Sequence, residues 1–211
     1  MNETKIDPRG YLHLDKTTTI RDLGPIDIAT LKAKVAELDD AYWETENARK
    51  PNKFEAFGPT RHIVMKFVKE LTSAIYYRDL PAWEEWKDLV GPILLQVQQA
   101  YGYEKAEFPR VMLAKVPPEG EIGIHADGGK FPPFCHKVHV PLFTNPDVGF
   151  FIEPKWYHLP EGRATEVNNA ARHMVRNAGG ADRIHLIFEL FKSPVRLEEH
   201  QYVGAVGDGQ M

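Results

Sequence analysis

Two histidines, an aspartate and an arginine in the second half of the chain have types and spacings that could carry chemistry. They are His125 and Asp127, two residues apart, then His173, then Arg183 ten residues further on. Two imidazoles and one carboxylate can hold one face of a divalent iron and leave three coordination positions open. Those positions can take a bidentate co-substrate and dioxygen together. Residues i and i+2 of an extended segment point to the same side of the backbone, so His125 and Asp127 can reach one metal. The third ligand can be distant in sequence if strands of a barrel bring it close. An arginine at the start of a following strand suits bidentate recognition of a carboxylate. The His-x-Asp pair is a weak signal by itself, because His13-Leu14-Asp15 also fits it. That earlier pair has no matching residues downstream and reads as a surface or strand pair.

The elements that must position these residues lie between Gly120 and Phe191. Short apolar runs alternate there with Gly, Pro, Asn and Asp punctuation, which is how a compact antiparallel β-structure reads. Strands are expected at 108–116, 135–143, 148–153 and 164–168, with 121–127 leading to the His-x-Asp pair. Segments 172–177 and 183–191 would form a hairpin across Ala178–Asp182, with His173 on one arm and Arg183 on the other. On 135–143, Cys135, Lys137 and His139 share one face, and His136, Val138, Val140 and Leu142 share the other. His136 therefore points away from the site, which opposes a zinc reading of Cys135-His136-x-x-His139. Cys135 is most simply a small hydrophobe. Along the last strand Arg183, His185, Ile187 and Glu189 alternate with Ile184, Leu186, Phe188 and Leu190. His185 and His158 have no partner legible in the sequence. Asn168 and Asn169 either orient site groups or make the turn that follows them.

The first half reads as support. Residues 1–25 form an extended arm, with a short strand at Tyr11 to Leu14. A helix runs from Asp27, a candidate N-cap, to near Trp43. Residues 44–59 are a polar loop, and Arg61 to Val68 is a strand by its β-branched alternation. Pro81 opens a helix that Gly91-Pro92 interrupts, with a second helix from Ile93 to Tyr101. These helices should brace the outer face of the larger sheet.

With 211 residues and 43% hydrophobic content, the chain can bury one sizeable core. It is read as a single domain, 1–211: an arm (1–25), helices with a flanking strand (26–105), the β core with the metal site (106–192) and a polar tail (193–211). The net charge of −4, with acids and bases mixed, argues against a nucleic-acid or anionic-membrane partner. A single cysteine excludes an intramolecular disulfide framework and fits a reducing cytosol. No apolar stretch approaches a membrane span, and the N-terminus lacks a signal-peptide pattern. The expected setting is cytoplasmic; the oligomeric state is not legible.

From about residue 60 to 191, and most strongly from Ile124 to Leu190, the chain resembles the aspartyl/asparaginyl β-hydroxylase family of 2-oxoglutarate- and iron-dependent oxygenases. The resemblance rests on IHAD, KVHVPLFTN, EVNN, RHMVRN and DRIHLIFEL, in that order. It implies a mainly β fold with accessory helices (α+β), built on a double-stranded β-helix (jelly-roll, cupin-like) core. It implies Fe(II) as cofactor, 2-oxoglutarate and dioxygen as co-substrates, and hydroxylation of a C–H bond of an amino acid or of a peptide or protein side chain. Carried over position by position, His125 and His173 are metal ligands, and Arg183 clamps the co-substrate's distal carboxylate. Lys137 and His139 stand where the family places an Arg-x-His pair facing the co-substrate. The best-known animal members carry Gly where Asp127 stands and Arg where Lys137 stands; here the three-ligand triad is available.

Two rival readings use the same triad. One is a cupin-like metal-binding module without oxygenase activity; the other is a zinc-dependent hydrolase acting through a bound water. A non-oxygenase has no need of Arg183 beside the metal, and no well-placed general base for the hydrolase is legible near the triad.

Overall fold

The computed structural model describes residues 14, 16–51, 58–69, 76–127 and 135–193. In chain order its elements are β1 (Ile20–Pro25), α1 (Ala29–Ala36), α2 (Asp40–Arg49), β2 (Arg61–Val68), β3 (Tyr77–Asp79), α3 (Pro81–Ala100), β4 (Ala106–Val116) and β5 (Glu121–His125). Then follow β6 (His136–Phe143), β7 (Val148–Ile152), β8 (Lys155–Tyr157), β9 (Arg163–Val167), β10 (His173–Asn177) and β11 (Arg183–Lys192). The strands form two antiparallel sheets. The larger has the order β1-β9-β6-β11-β4-β2-β3, and the smaller β5-β10-β7-β8. This is the expected jelly-roll core, mainly β with few helices.

β11 is the spine of the larger sheet, paired with β4 on one side and β6 on the other. It is buried on both faces, so its two alternating sets of residues meet different surroundings. The outward set, Ile184, Leu186, Phe188 and Leu190, packs with Ile63 and Met65 of β2, Leu113 of β4 and Val138, Val140 and Leu142 of β6. Against them lie Trp86, Val90, Ile93 and Val97 of α3 and Leu31 and Val35 of α1. The helices thus brace the outer face of the larger sheet, as expected. The inward set, Arg183, His185, Ile187 and Glu189, faces the smaller sheet.

Several local expectations are corrected. The helix expected from Asp27 to Trp43 is two helices. The chain breaks at Asp39, whose side chain accepts a hydrogen bond from the Tyr42 N–H at 2.8 Å and so caps α2. Because α2 runs to Arg49, the expected loop 44–59 is helical in its first part. Asp27 is not the N-cap residue, which is Ile28, although its carboxylate accepts from the Ala29 N–H at 3.1 Å. Gly91-Pro92 does not divide the helix after Pro81. α3 continues through Pro92 to Ala100, because burial of Val90, Ile93, Leu94 and Val97 offsets the lost backbone hydrogen bond. The expected strand at Tyr11 to Leu14, the pair His13-Asp15 and most of the polar tail lie outside the described residues. Within the described arm the strand is β1, which lies along β9.

The largest correction concerns 172–191. β10 and β11 are not a hairpin, since β10 belongs to the smaller sheet and β11 to the larger. The segment between them crosses from sheet to sheet, and Asn177 secures the crossing. Its amide nitrogen donates to the carbonyls of Val116, Pro117 and Ala181 at 3.1, 3.0 and 2.8 Å. Turn residues identify a reversal, but they do not say whether the returning strand pairs with its predecessor.

His136 does point outward. Its ring bonds the buried Glu166 carboxylate at 2.8 Å and the Tyr103 hydroxyl at 2.8 Å, and stacks on Tyr101, tying β6 and β9 to the end of α3. No described helix is long and apolar enough to cross a membrane.

Leu186 tests the brace. It is fully buried at the centre of the larger sheet's outer face. Leu186→Ala should lower the urea-unfolding free energy by about 2–5 kcal/mol, while leaving divalent-metal affinity unchanged. A loss below about 1 kcal/mol would show that this face is not the principal core.

Candidate metal centre

His173 opens β10 directly across from His125, the last residue of β5. Cross-strand partners present their side chains to the same face, and the two rings stand with centroids 4.3 Å apart. Asp127 follows just beyond β5, where its backbone N–H donates to the Asn169 carbonyl at 3.0 Å. The His125 and His173 Nε2 atoms each lie 3.7 Å from Asp127 Oδ1. Ligand atoms of all three residues fall within 4.8 Å of one another.

The donor chemistry fits a divalent metal. His125 Nδ1 sits 2.8 Å from the Gly123 carbonyl and His173 Nδ1 3.0 Å from the Ala171 carbonyl. A carbonyl can only accept, so each Nδ1 carries the proton and each Nε2 keeps its lone pair toward Asp127. Burial pushes the His173 pKa down to about 4, aided by the Lys137 ammonium, so the ring is neutral near pH 7. Burial works against ionisation of Asp127. It is outweighed by the Lys137 charge, by His173 and by hydrogen bonds from Lys137 and Asn169, which hold the carboxyl well below the usual range. A neutral imidazole at His173 and an ionised carboxylate at Asp127 are the state a metal requires of these groups.

The carboxylate is oriented as well as ionised. Lys137 Nζ donates to Asp127 Oδ2 at 2.6 Å and Asn169 Nδ2 to the same oxygen at 2.9 Å. Oδ1 is left facing the imidazoles. Lys137, expected to face a co-substrate, has its ammonium on Asp127, and Asn169 bonds the same carboxylate. Lys16 in turn donates to the Asn169 side-chain oxygen.

Arg183 lies on the inner face of β11 and is 1% exposed. One of its terminal nitrogens contacts His185 Nδ1 at 2.7 Å and His139 Nδ1 at 3.4 Å. Arginine only donates, so both Nδ1 atoms accept and the proton of each neutral ring sits on Nε2. Both Nε2 atoms and Arg183 Nε are buried with no hydrogen-bond partner. No carboxylate pairs with Arg183 among the described residues. Burial draws its pKa down to about 9, which still leaves it charged near pH 7. Burial and the Arg183 charge push the His139 and His185 pKa values well below the usual one. This cluster is a fixed positive charge ringed by unused N–H donors. Phe150 connects it to the triad, stacking on His173 at 6.0 Å and presenting an edge to His139 at 5.2 Å.

The structure therefore brings together His125, Asp127 and His173, and gathers Arg183, His139 and His185 beside them. His185 was not found in the sequence as a site residue, although its i+2 spacing from Arg183 on a strand was the available signal.

Residues 91–193 match the family model described as aspartyl/asparaginyl beta-hydroxylase. No curated protein sequence matches the chain. Among solved structures, the fold is similar to an oxidoreductase of the 2OG-Fe(II) oxygenase family from Burkholderia pseudomallei. That likeness has a TM-score of 0.52 at 17% identity, covering 79% of this chain and 90% of that one. It is also similar to a non-heme monooxygenase, ThoJ, in complex with nickel, with a TM-score of 0.51 at 14% identity, covering 83% of this chain and 76% of that one.

Two predictions come from this geometry. His173→Ala and Asp127→Ala should each weaken divalent-metal binding by at least about tenfold in anaerobic titration; wild-type affinity in His173→Ala would remove His173 from the ligand set. The second concerns acid. Burial holds His62 at a pKa of about 3, and His139 and His185 are also depressed. The folded protein keeps these rings neutral, while the unfolded chain protonates them below about pH 6.5. Stability of the metal-free protein should thus fall as pH drops from about 6.5 toward 4, by at most about 1.4 kcal/mol per pH unit for each ring. A urea midpoint that stays constant over that window would show that the rings accept protons without unfolding.

Proposed function

We infer, for a chain whose residues 91–193 match the model of the aspartyl/asparaginyl β-hydroxylase family, that it is a 2-oxoglutarate- and Fe(II)-dependent dioxygenase hydroxylating a C–H bond of an amino acid or a peptide or protein side chain. The net reaction consumes 2-oxoglutarate, dioxygen and R–H, and yields succinate, carbon dioxide and R–OH. The observation that carries this reading is the fully buried Arg183 with no carboxylate partner among the described residues, beside a two-histidine, one-carboxylate triad. A buried charge needs a counter-charge, and a dicarboxylate chelating the adjacent metal supplies one.

His125, Asp127 and His173 would hold Fe(II), which when bound supplies the activation of dioxygen. Lys137 and Asn169 keep Asp127 ionised and turned so that one oxygen is available. Arg183 receives the distal carboxylate of 2-oxoglutarate, and the Nε2 atoms of His139 and His185 in the same cluster are buried without a hydrogen-bond partner. Phe150 stands between the two centres, in ring contact with His139 and His173. A metal-storing module or a hydrolase would have no use for the Arg183 cluster.

Arg183→Ala should raise the 2-oxoglutarate requirement by roughly 30-fold or more, the equivalent of the 2–5 kcal/mol typical of truncating one partner of a buried charge pair. Metal affinity without co-substrate should barely move. Arg183→Lys should recover part of the loss, since a point charge cannot reproduce the planar fork. Succinate release and the spectral response of the iron-loaded protein to 2-oxoglutarate are the measurements. No response of the wild type to millimolar 2-oxoglutarate would sink the oxygenase reading.

A further inference from the structure

The N-terminal arm meets the metal centre through the turn between β9 and β10. Lys16 donates from its ammonium to the Asn169 side-chain oxygen. Further along the arm, the Thr18 carbonyl accepts from Asn168 Nδ2 at 2.9 Å and the Thr19 carbonyl from the Asn168 N–H at 2.8 Å. Asn168 Oδ1 in turn accepts from the Ala170 and Ala171 N–H groups at 3.1 and 3.3 Å, and so shapes the turn. The arm thus grips this turn just before β1 pairs with β9. Lys16 lies outside residues 91–193, so its contact is not part of what the family match describes.

The turn carries the contact onward to the triad. The Asn169 carbonyl accepts from the Asp127 N–H at 3.0 Å, and Asn169 Nδ2 donates to Asp127 Oδ2 at 2.9 Å. Two residues later the Ala171 carbonyl holds His173 Nδ1 at 3.0 Å. Asn169 is 2% exposed, so its amide relies on partners within the fold. A half-turn of an asparagine amide exchanges its oxygen and its nitrogen. Between Lys16 and Asp127 only one orientation works. An ammonium has only donors and an ionised carboxylate only acceptors, so the oxygen must face Lys16 and the nitrogen Asp127. The Glu189 and Glu166 charges also act on Lys16, which is a held cation and not a free one.

We propose that Lys16 is a positioning residue of the metal centre: by fixing the Asn169 amide it holds Asp127 turned so that Oδ1 is presented to a metal beside His125 and His173. This deepens the oxygenase reading and rests on the metal centre of that reading. Lys16 acts through Asn169 and not on the metal itself. The sign of its effect separates this role from that of a nearby charge. A positive charge close to a cation site repels the cation, so removing a bystander ammonium strengthens metal binding. Removing an ammonium that orients a ligand weakens it.

The test is anaerobic titration of the metal-free full chain with Mn(II) alone, in the wild type, Lys16→Met, Asn169→Ala and the double variant. Methionine keeps an unbranched stem and removes the donor. Lys16→Met should weaken Mn(II) binding by about threefold to tenfold, and Asn169→Ala by about tenfold or more. With Asn169 already replaced, Lys16→Met should weaken the metal no further, because the contact it acts through is gone. A general loosening of the arm would instead lower affinity equally with and without Asn169. Lys16→Gln, uncharged and one atom shorter, is the second variant should Lys16→Met not fold, and it should shift affinity in the same direction. Unchanged or tighter Mn(II) binding on loss of the ammonium, or an equal loss in both backgrounds, would overturn the proposal. A wild type that binds no Mn(II) would instead remove the metal centre on which it rests.

Discussion

The register of β10 against β5 is the constraint on which the site depends. His173 faces His125 directly, and the next paired residues are Val175 with Ile122. A slip of one residue would turn His173 to the other face of the smaller sheet, because side chains alternate with a period of two. β7 fixes the register from the other side, since His173 pairs with Ile152 and Val175 with Phe150. Ile152, Phe150, Val175 and Ile122 share one apolar cluster between the sheets. The hydrophobic alternation that folds the smaller sheet is therefore also what aims His173 at His125 and Asp127.

Burial then sorts charge along the inner face. Arg183 sits at one end, ringed by histidines that its own field and the low dielectric keep neutral. Asp127 sits further along, kept ionised against burial by Lys137 and Asn169. A protein could satisfy both by pairing Arg183 with Asp127 directly. The structure keeps them apart, with Phe150 between the two clusters, and so leaves each with an incomplete set of partners. Incomplete partnership in a buried place is what would let such a cleft take a cation at one cluster and an anion at the other.

Much of this was legible in the sequence because alternation on a strand needs only the sequence. The inward set on 135–143 and the outward placement of His136 followed from counting by two. The jelly-roll class followed from strands, turns and the resemblance. What was not legible was long-range. Val116 meets Arg183 and Phe143 meets Ile184 because β4 and β6 flank β11, and nothing local to Ala178–Asp182 distinguishes a hairpin from a crossing between sheets. The continuity of α3 through Pro92 is likewise decided by the core beneath it and not by the Gly-Pro dipeptide. His185 escaped notice because its role comes from Arg183 donating to it, a contact between side chains on one strand that composition does not signal.

The ion pair of Lys137 with Asp127 unites two features that looked separate in the sequence. The resemblance sets Gly, in the family's best-known animal members, where Asp127 stands and Arg where Lys137 stands. In this chain the two residues touch, Nζ to Oδ2 at 2.6 Å, so the two departures amount to one change. Physical chemistry explains why they belong together. A guanidinium prefers to bind a carboxylate through both oxygens, and beside Asp127 it would compete with the metal for Oδ1. An ammonium is a point charge that can be satisfied by Oδ2 alone, with Asn169 sharing that oxygen, and Oδ1 stays turned to the imidazoles. Lysine at 137 thus holds the Asp127 carboxylate by one oxygen and leaves the other turned to His125 and His173.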